Sequence, residues 1–106
     1  DAGVRAMSLQ IAERKLAQQT RREDTKARRK QTNETKKLKR RVEALEKQIH
    51  ALEDVLKALN DDISAASAAG DMDRITTLGA DYATQNTQLQ STYAEWEQLS
   101  AELEND

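Results

Sequence analysis

Cysteine and proline are absent, glycine occurs three times, and two tyrosines and one tryptophan are the only aromatic residues among 106. Without cysteine there is no disulfide and no thiolate metal site, and the compartment is left open on redox grounds. Without proline nothing breaks a long helix from within. So few bulky apolar side chains leave too little mass for an ordinary globular core, so any core is expected to be thin. No apolar run approaches the roughly 20 residues that span a bilayer, and no secretory leader pattern is present, so neither membrane nor export is expected and a cytoplasmic location is the default. The chain begins at Asp1, not at a methionine, which suggests a segment of a longer protein.

What is present is charge and helix-forming residues. Charged residues make up 34% and hydrophobic ones 37%, a balance that suits long solvated helices better than strands. The formal charge of −2 conceals an asymmetry. Residues 1–41 hold fourteen Lys or Arg and five acids, residues 42–106 hold three and fourteen, and +9 with −11 gives the total. A basic segment joined to an acidic one keeps a polyanion partner in view despite the near-neutral whole.

From Leu38 the apolar positions run Leu38, Val42, Leu45, Ile49, Leu52, Leu56, Leu59, Ile63 and Ala66 in alternating steps of four and three, a heptad seam. A second series on the same rhythm reads Met72, Ile75, Gly79, Tyr82, Asn86, Leu89, Tyr93, Trp96, Ser100 and Leu103, with Leu78 and Leu99 flanking its weak positions. Between them lie Ser67, Ala68, Ala69, Gly70 and Asp71. Gly70 suits a left-handed helix end, Asp71 an N-cap and Asp73 the first turn of a following helix. One fold-back register pairs both series throughout, from Ala66 with Met72 through Leu52 with Asn86 and Val42 with Trp96 to Leu38 with Ser100. The expected fold is therefore all-α: an antiparallel two-helix coiled-coil hairpin over residues 36–106, its tip near 67–71, behind an N-terminal basic helical extension or linker over 1–35. A parallel homodimer competes, since Val42, Ile49, Leu56 and Ile63 alternate with leucines as parallel pairs prefer. Gly70 and Asp71 would interrupt it, and a monomeric hairpin is expected instead. In the extension Val4, Met7 and Ile11 form a small apolar stripe, beyond which apolar residues nearly vanish.

The order of features in residues 36–104 resembles the C-terminal coiled-coil domain of ABC-F ATPases of the Uup type. A basic entry precedes a first arm reading VEALEKQIHALE. A small-residue, acidic tip then leads into GDMDRITTLGADYATQNTQLQSTYAEWEQLSAEL, with Trp96, Leu99 and Leu103 at its end. Glu95 departs from the pattern, standing where the family often carries a basic residue before its tryptophan. The resemblance implies a parent with two ATP-binding cassettes acting on ribosomes, whose hairpin contacts ribosomal RNA, tRNA or DNA. No phosphate-binding G-x-x-x-x-G-K-[ST] occurs here, so this segment is expected to lack catalysis and to need no cofactor.

The candidate nucleic-acid contacts are Arg21, Arg22, Lys26, Arg28, Arg29 and Lys30, then Lys36, Lys37, Lys39, Arg40 and Arg41. As blocks on a helix they are expected to surround the axis and to serve sequence-independent phosphate contact instead of reading a groove from one face. No aromatic residue is interleaved with them, so a base-stacking platform is not supported. The bland alternative is a solvated linker, with the hairpin a protein–protein spacer. Tyr82, Tyr93 and Trp96 read as packing rings on the seam and Asn86 as a register-fixing polar residue. Asp61, Asp62, Asp71 and Asp73 could suggest a magnesium-holding tip, but capping explains the last two more simply. His50 has no partners for a metal cluster or a catalytic pair.

Overall fold

A computed structural model describes residues 1–105. Two helices account for the fold, α1 (Ala2–Ala69) and α2 (Met72–Glu104), and no strand occurs among the described residues. The chain divides into two units, Asp1–Lys36 and Lys37–Asp106; Asp106, the last residue of the expected hairpin span, lies outside the described residues.

The second unit is the antiparallel hairpin. Its turn is closed by backbone chemistry at the tip. Gly70 adopts φ +70°, the left-handed region open to glycine at little steric cost. The Gly70 amide donates to the Ser67 carbonyl at 3.1 Å and the Asp71 amide to the Ala66 carbonyl at 3.0 Å. That pair of bonds is the Schellman arrangement, and it satisfies carbonyls that the end of α1 would otherwise leave open. The Asp71 carboxylate then accepts from the Arg74 amide at 3.2 Å, capping α2, and Asp73 sits in the first turn. Both capping expectations from the sequence are met.

The core is a single seam. On α1 Val42, Leu45, Ile49, Leu56 and Ala66 are buried, Leu45 completely, while Leu38, Leu52, Leu59 and Ile63 are half-buried. The expected first arm is therefore correct at every position. The return arm is not. Met72 is 69% exposed, and Gly79 and Asn86 also face solvent. The residues turned inward are Ile75, Leu78, Tyr82, Gln85, Leu89, Thr92, Trp96, Leu99 and Leu103, again in steps of three and four. Tyr93 and Ser100 are half-buried at its flank.

Half of the expected series is thus right, and its alternate members move to the neighbouring residue. This correction also slides the arms. The inward residues now pair from Ala66 with Ile75 at the tip, through Ile49 with Thr92 and Leu45 with Trp96, to Leu38 with Leu103. Two side-chain contacts between the arms straddle this register evenly. Arg41, level with Ser100, bonds Glu95 on the tip side, whereas Glu53, level with Gln88, is bonded by Tyr93 from the open end.

The physical reason is the side chains at stake. Both choices complete a heptad with Ile75, Tyr82, Leu89, Trp96 and Leu103, but the observed one buries Leu78 and Leu99 and releases Gly79 and Asn86 to water. Thr92 can be buried because its hydroxyl donates to the Gln88 carbonyl at 2.8 Å, so that hydroxyl is not stranded. Asn86 accordingly fixes no register. Tyr82, Tyr93 and Trp96 pack, with Leu52, against the cluster of Ile49, Leu56 and Leu89, as expected for rings beside a thin aliphatic seam.

The first unit, Asp1–Lys36, is helical from Ala2. Residues 1–34 are all exposed. Val4, Met7, Leu9, Ile11 and Leu16 keep more than half of their surface in water, so helix propensity and the uninterrupted backbone ladder hold this stretch, not apolar burial.

Candidate nucleic-acid interface

All eleven candidate cations are exposed. Seven, Arg21, Arg22, Lys26, Arg28, Arg29, Lys30 and Lys36, belong to the first unit; Lys37, Lys39, Arg40 and Arg41 belong to the hairpin.

In the hairpin, Arg41 is engaged internally. Its Nη2 lies 2.7 Å from Glu95 Oε1, and its Nε donates to the same oxygen at 2.9 Å. The pair is about half exposed on both sides, so it contributes at most about 1 kcal/mol and weakens with salt. Glu95, the departure from the resembled pattern, thus has a structural role, because it ties the basic entry of the first arm to the second. Tyr93 makes the other tie, its hydroxyl donating to Glu53 Oε1 at 3.0 Å. That hydrogen bond to a carboxylate raises the Tyr93 phenol above its ordinary value, with desolvation and the Glu53 charge acting in the same direction. A shallow notch lined by Glu46, Ile49, His50, Tyr93 and Trp96 runs beside these groups.

In the first unit the cations are not distributed around the axis. Seven residues fall only about 20° short of two full helical turns, so residues seven apart share a face. Arg14, Arg21 and Arg28 form one such row, and Lys15, Arg22, Arg29 and Lys36 form another. At 100° per residue both rows lie on one side of α1, with Thr25 and Thr32 between them. Glu13, Glu23, Asp24 and Glu34 occupy the other side, where Lys30 also lies.

The surface bears this out. One depression is lined by Arg21, Arg22, Thr25, Lys26 and Arg29, and another by Thr25, Arg28, Arg29, Thr32, Asn33 and Lys36. The expectation of an all-round distribution therefore fails for residues 14–36. Residues 37–41 do not surround the axis either: Lys37, Lys39, Arg40 and Arg41 spread over an arc of about 200° facing away from Leu38 and Val42 on the seam. The signal was in the sequence as two seven-residue repeats, obscured by adjacent pairs such as Arg21–Arg22 and Arg28–Arg29.

Among the described residues no group of three or more His, Cys, Asp or Glu is placed to hold a metal ion, and no helix is long and apolar enough to cross a membrane. Comparison with curated proteins and with solved structures gave no match. The family model described as the ABC transporter C-terminal domain matches residues 33–101, more than half of the chain and nearly all of the hairpin. This hairpin, with its capped tip and its Trp96-bearing return arm, belongs to the ABC transporter C-terminal domain family.

Proposed function

We propose that the chain is a non-catalytic nucleic-acid-binding and positioning module of a cytoplasmic ABC-F-type, Uup-like ATPase, acting on ribosomal RNA, tRNA or DNA, with the ribosome as one setting. Membership of the ABC C-terminal domain family supports attachment to an ATP-driven parent. The observation that carries nucleic-acid binding is the sided set of cations on residues 14–36, whose arginine pairs flank threonine-lined depressions. Guanidinium groups arranged in this way suit phosphate oxygens. The acidic arms, by contrast, repel a polyanion, so they position the contact and do not make it. One chain completes the seam, which favours a monomeric hairpin.

A salt titration of binding to duplex DNA and to RNA tests this reading. Binding should be weak, largely indifferent to sequence and steeply salt-dependent, with log K falling by about 0.9 per phosphate neutralised on duplex DNA and about 0.7 on single strands for each unit of log salt. Failure to retard either polymer at low salt would leave the second reading, a protein–protein spacer. One observation favours that spacer: Arg41 is spent on Glu95 within the hairpin.

A further inference from the structure

The two rows of cations in the first unit have a geometry of their own. Resting on the nucleic-acid reading above, we infer that residues 21–32 of α1 lie along the major groove of a B-form DNA duplex, with one row against each phosphate wall. Arg21 and Arg28 form one flank and Arg22 and Arg29 the other, with Thr25 and Thr32 along the midline. A helix with its side chains is about 10–12 Å across, and the B-DNA major groove is about 12 Å wide. A helix seated there places its two flanks at the two backbones.

Twelve residues rise about 18 Å, which is as much straight helix as the curved groove can follow before it turns away. Glu23 then faces outward from the duplex, whereas Asp24 borders the Arg21–Arg28 flank, about 100° from the midline, and offsets part of that row's charge. An A-form duplex is a poor host, because its major groove is deep and narrow. An unpaired strand is also a poor host, because no aromatic residue in this stretch offers a stacking surface.

The midline adds little sequence reading. The Thr25 hydroxyl donates to the Arg21 carbonyl at 2.9 Å, and the Thr32 hydroxyl to the Arg28 carbonyl at 2.9 Å, so each hydroxyl proton is already used inside the helix. Phosphate contact dominates, and base preference should be slight.

The test removes equal charge from two places. One variant carries Arg21→Gln, Arg22→Gln, Arg28→Gln and Arg29→Gln; the other carries Lys30→Gln, Lys37→Gln, Lys39→Gln and Arg40→Gln. Anisotropy of a labelled DNA duplex of about 20 base pairs, followed across salt concentrations, reads both, and circular dichroism confirms that each variant stays helical. The first variant should bind at least about tenfold more weakly at low salt and flatten the log–log slope by about 3 to 4, four contacts at about 0.9 each. The second should lose less than half as much.

Equal losses in the two variants would overturn the face and leave nucleic-acid binding standing as a diffuse charge effect. Equal or tighter binding of wild type to an RNA duplex or to a single strand of the same sequence would overturn the groove. Polyglutamate bound as tightly as the duplex would assign the face to an acidic protein partner. No binding of wild type to any nucleic acid would instead remove the functional reading on which the inference rests.

Discussion

Between Lys37 and Ala69, every third or fourth residue of α1 is withdrawn from water, and Leu45 is withdrawn completely. Along residues 1–34 of the same helix, none is. Both stretches are helical, so backbone conformation explains no part of the difference. What differs is the second strand: the hairpin stretch has α2 beside it, whereas the N-terminal unit spends its side chains on a charged face. The comparison separates helix formation, which propensity and an unbroken ladder can supply, from tertiary stability, which needs a partner surface.

The sharpest break between the regions should come from truncating leucines. Leu45→Ala is expected to cost roughly 3 kcal/mol, because a fully buried side chain leaves a cavity in a core only two helices thick. Leu16→Ala, at a position 65% exposed, should stay within about 0.5 kcal/mol. Urea melts of the two variants measure the contrast. Comparable losses would mean that the N-terminal unit also has a packed partner.

A smaller effect tests the corrected register. Gly79 is exposed, and a Cβ built there meets nothing within 4 Å. Gly79→Gln should therefore stabilise the hairpin by about 0.5 to 1 kcal/mol, by removing glycine's entropic penalty from a helix interior. Were Gly79 on the seam opposite Leu59, the same change would bury an amide and lower the melting temperature.

Smaller again is the tie at the open end. Arg41→Gln should cost about 0.5 kcal/mol at low salt, and the difference from wild type should shrink as salt is raised. The finest test is Tyr93. Its folded pKa is raised by the Glu53 carboxylate, so the stability it contributes is fully present below the unfolded value of about 10 and is lost as pH climbs through the higher folded value. An alkaline absorbance titration of wild type minus Tyr93→Phe should show a phenol ionising above 10. Deletion of the Glu53 carboxylate by Glu53→Gln should bring it back down.

Much of the hairpin was legible because it was over-determined. Gly70 and Asp71 lie between two heptad series, and the aliphatic positions of the first arm admit no second choice. The return arm was ambiguous for a specific reason. Given Ile75, Tyr82, Leu89, Trp96 and Leu103, either Gly79, Asn86, Tyr93 and Ser100 or Leu78, Gln85, Thr92 and Leu99 completes the rhythm, and each set folds back in a constant register.

Tyr93 draws the register the wrong way, because its ring does pack against the core, but from the flank of the seam, with its hydroxyl reaching across to Glu53. Counting the leucines would have favoured the observed set. The basic face was missed differently. Runs of adjacent cations read as blocks of charge, and only their seven-residue repeat, with acids confined to the other side, shows a direction.

Hydrogen exchange of the full chain, with and without a B-form DNA duplex, tests most directly the claim that the hairpin holds the fold while the N-terminal unit makes the contact. In the free chain, slow amides should cluster around Leu45, Ile49, Leu89 and Thr92, with fast exchange over residues 2–34. On adding duplex, protection should appear over residues 21–32 and leave the arms of the hairpin unchanged. Protection gained along the hairpin arms, with residues 21–32 exchanging as before, would contradict the account.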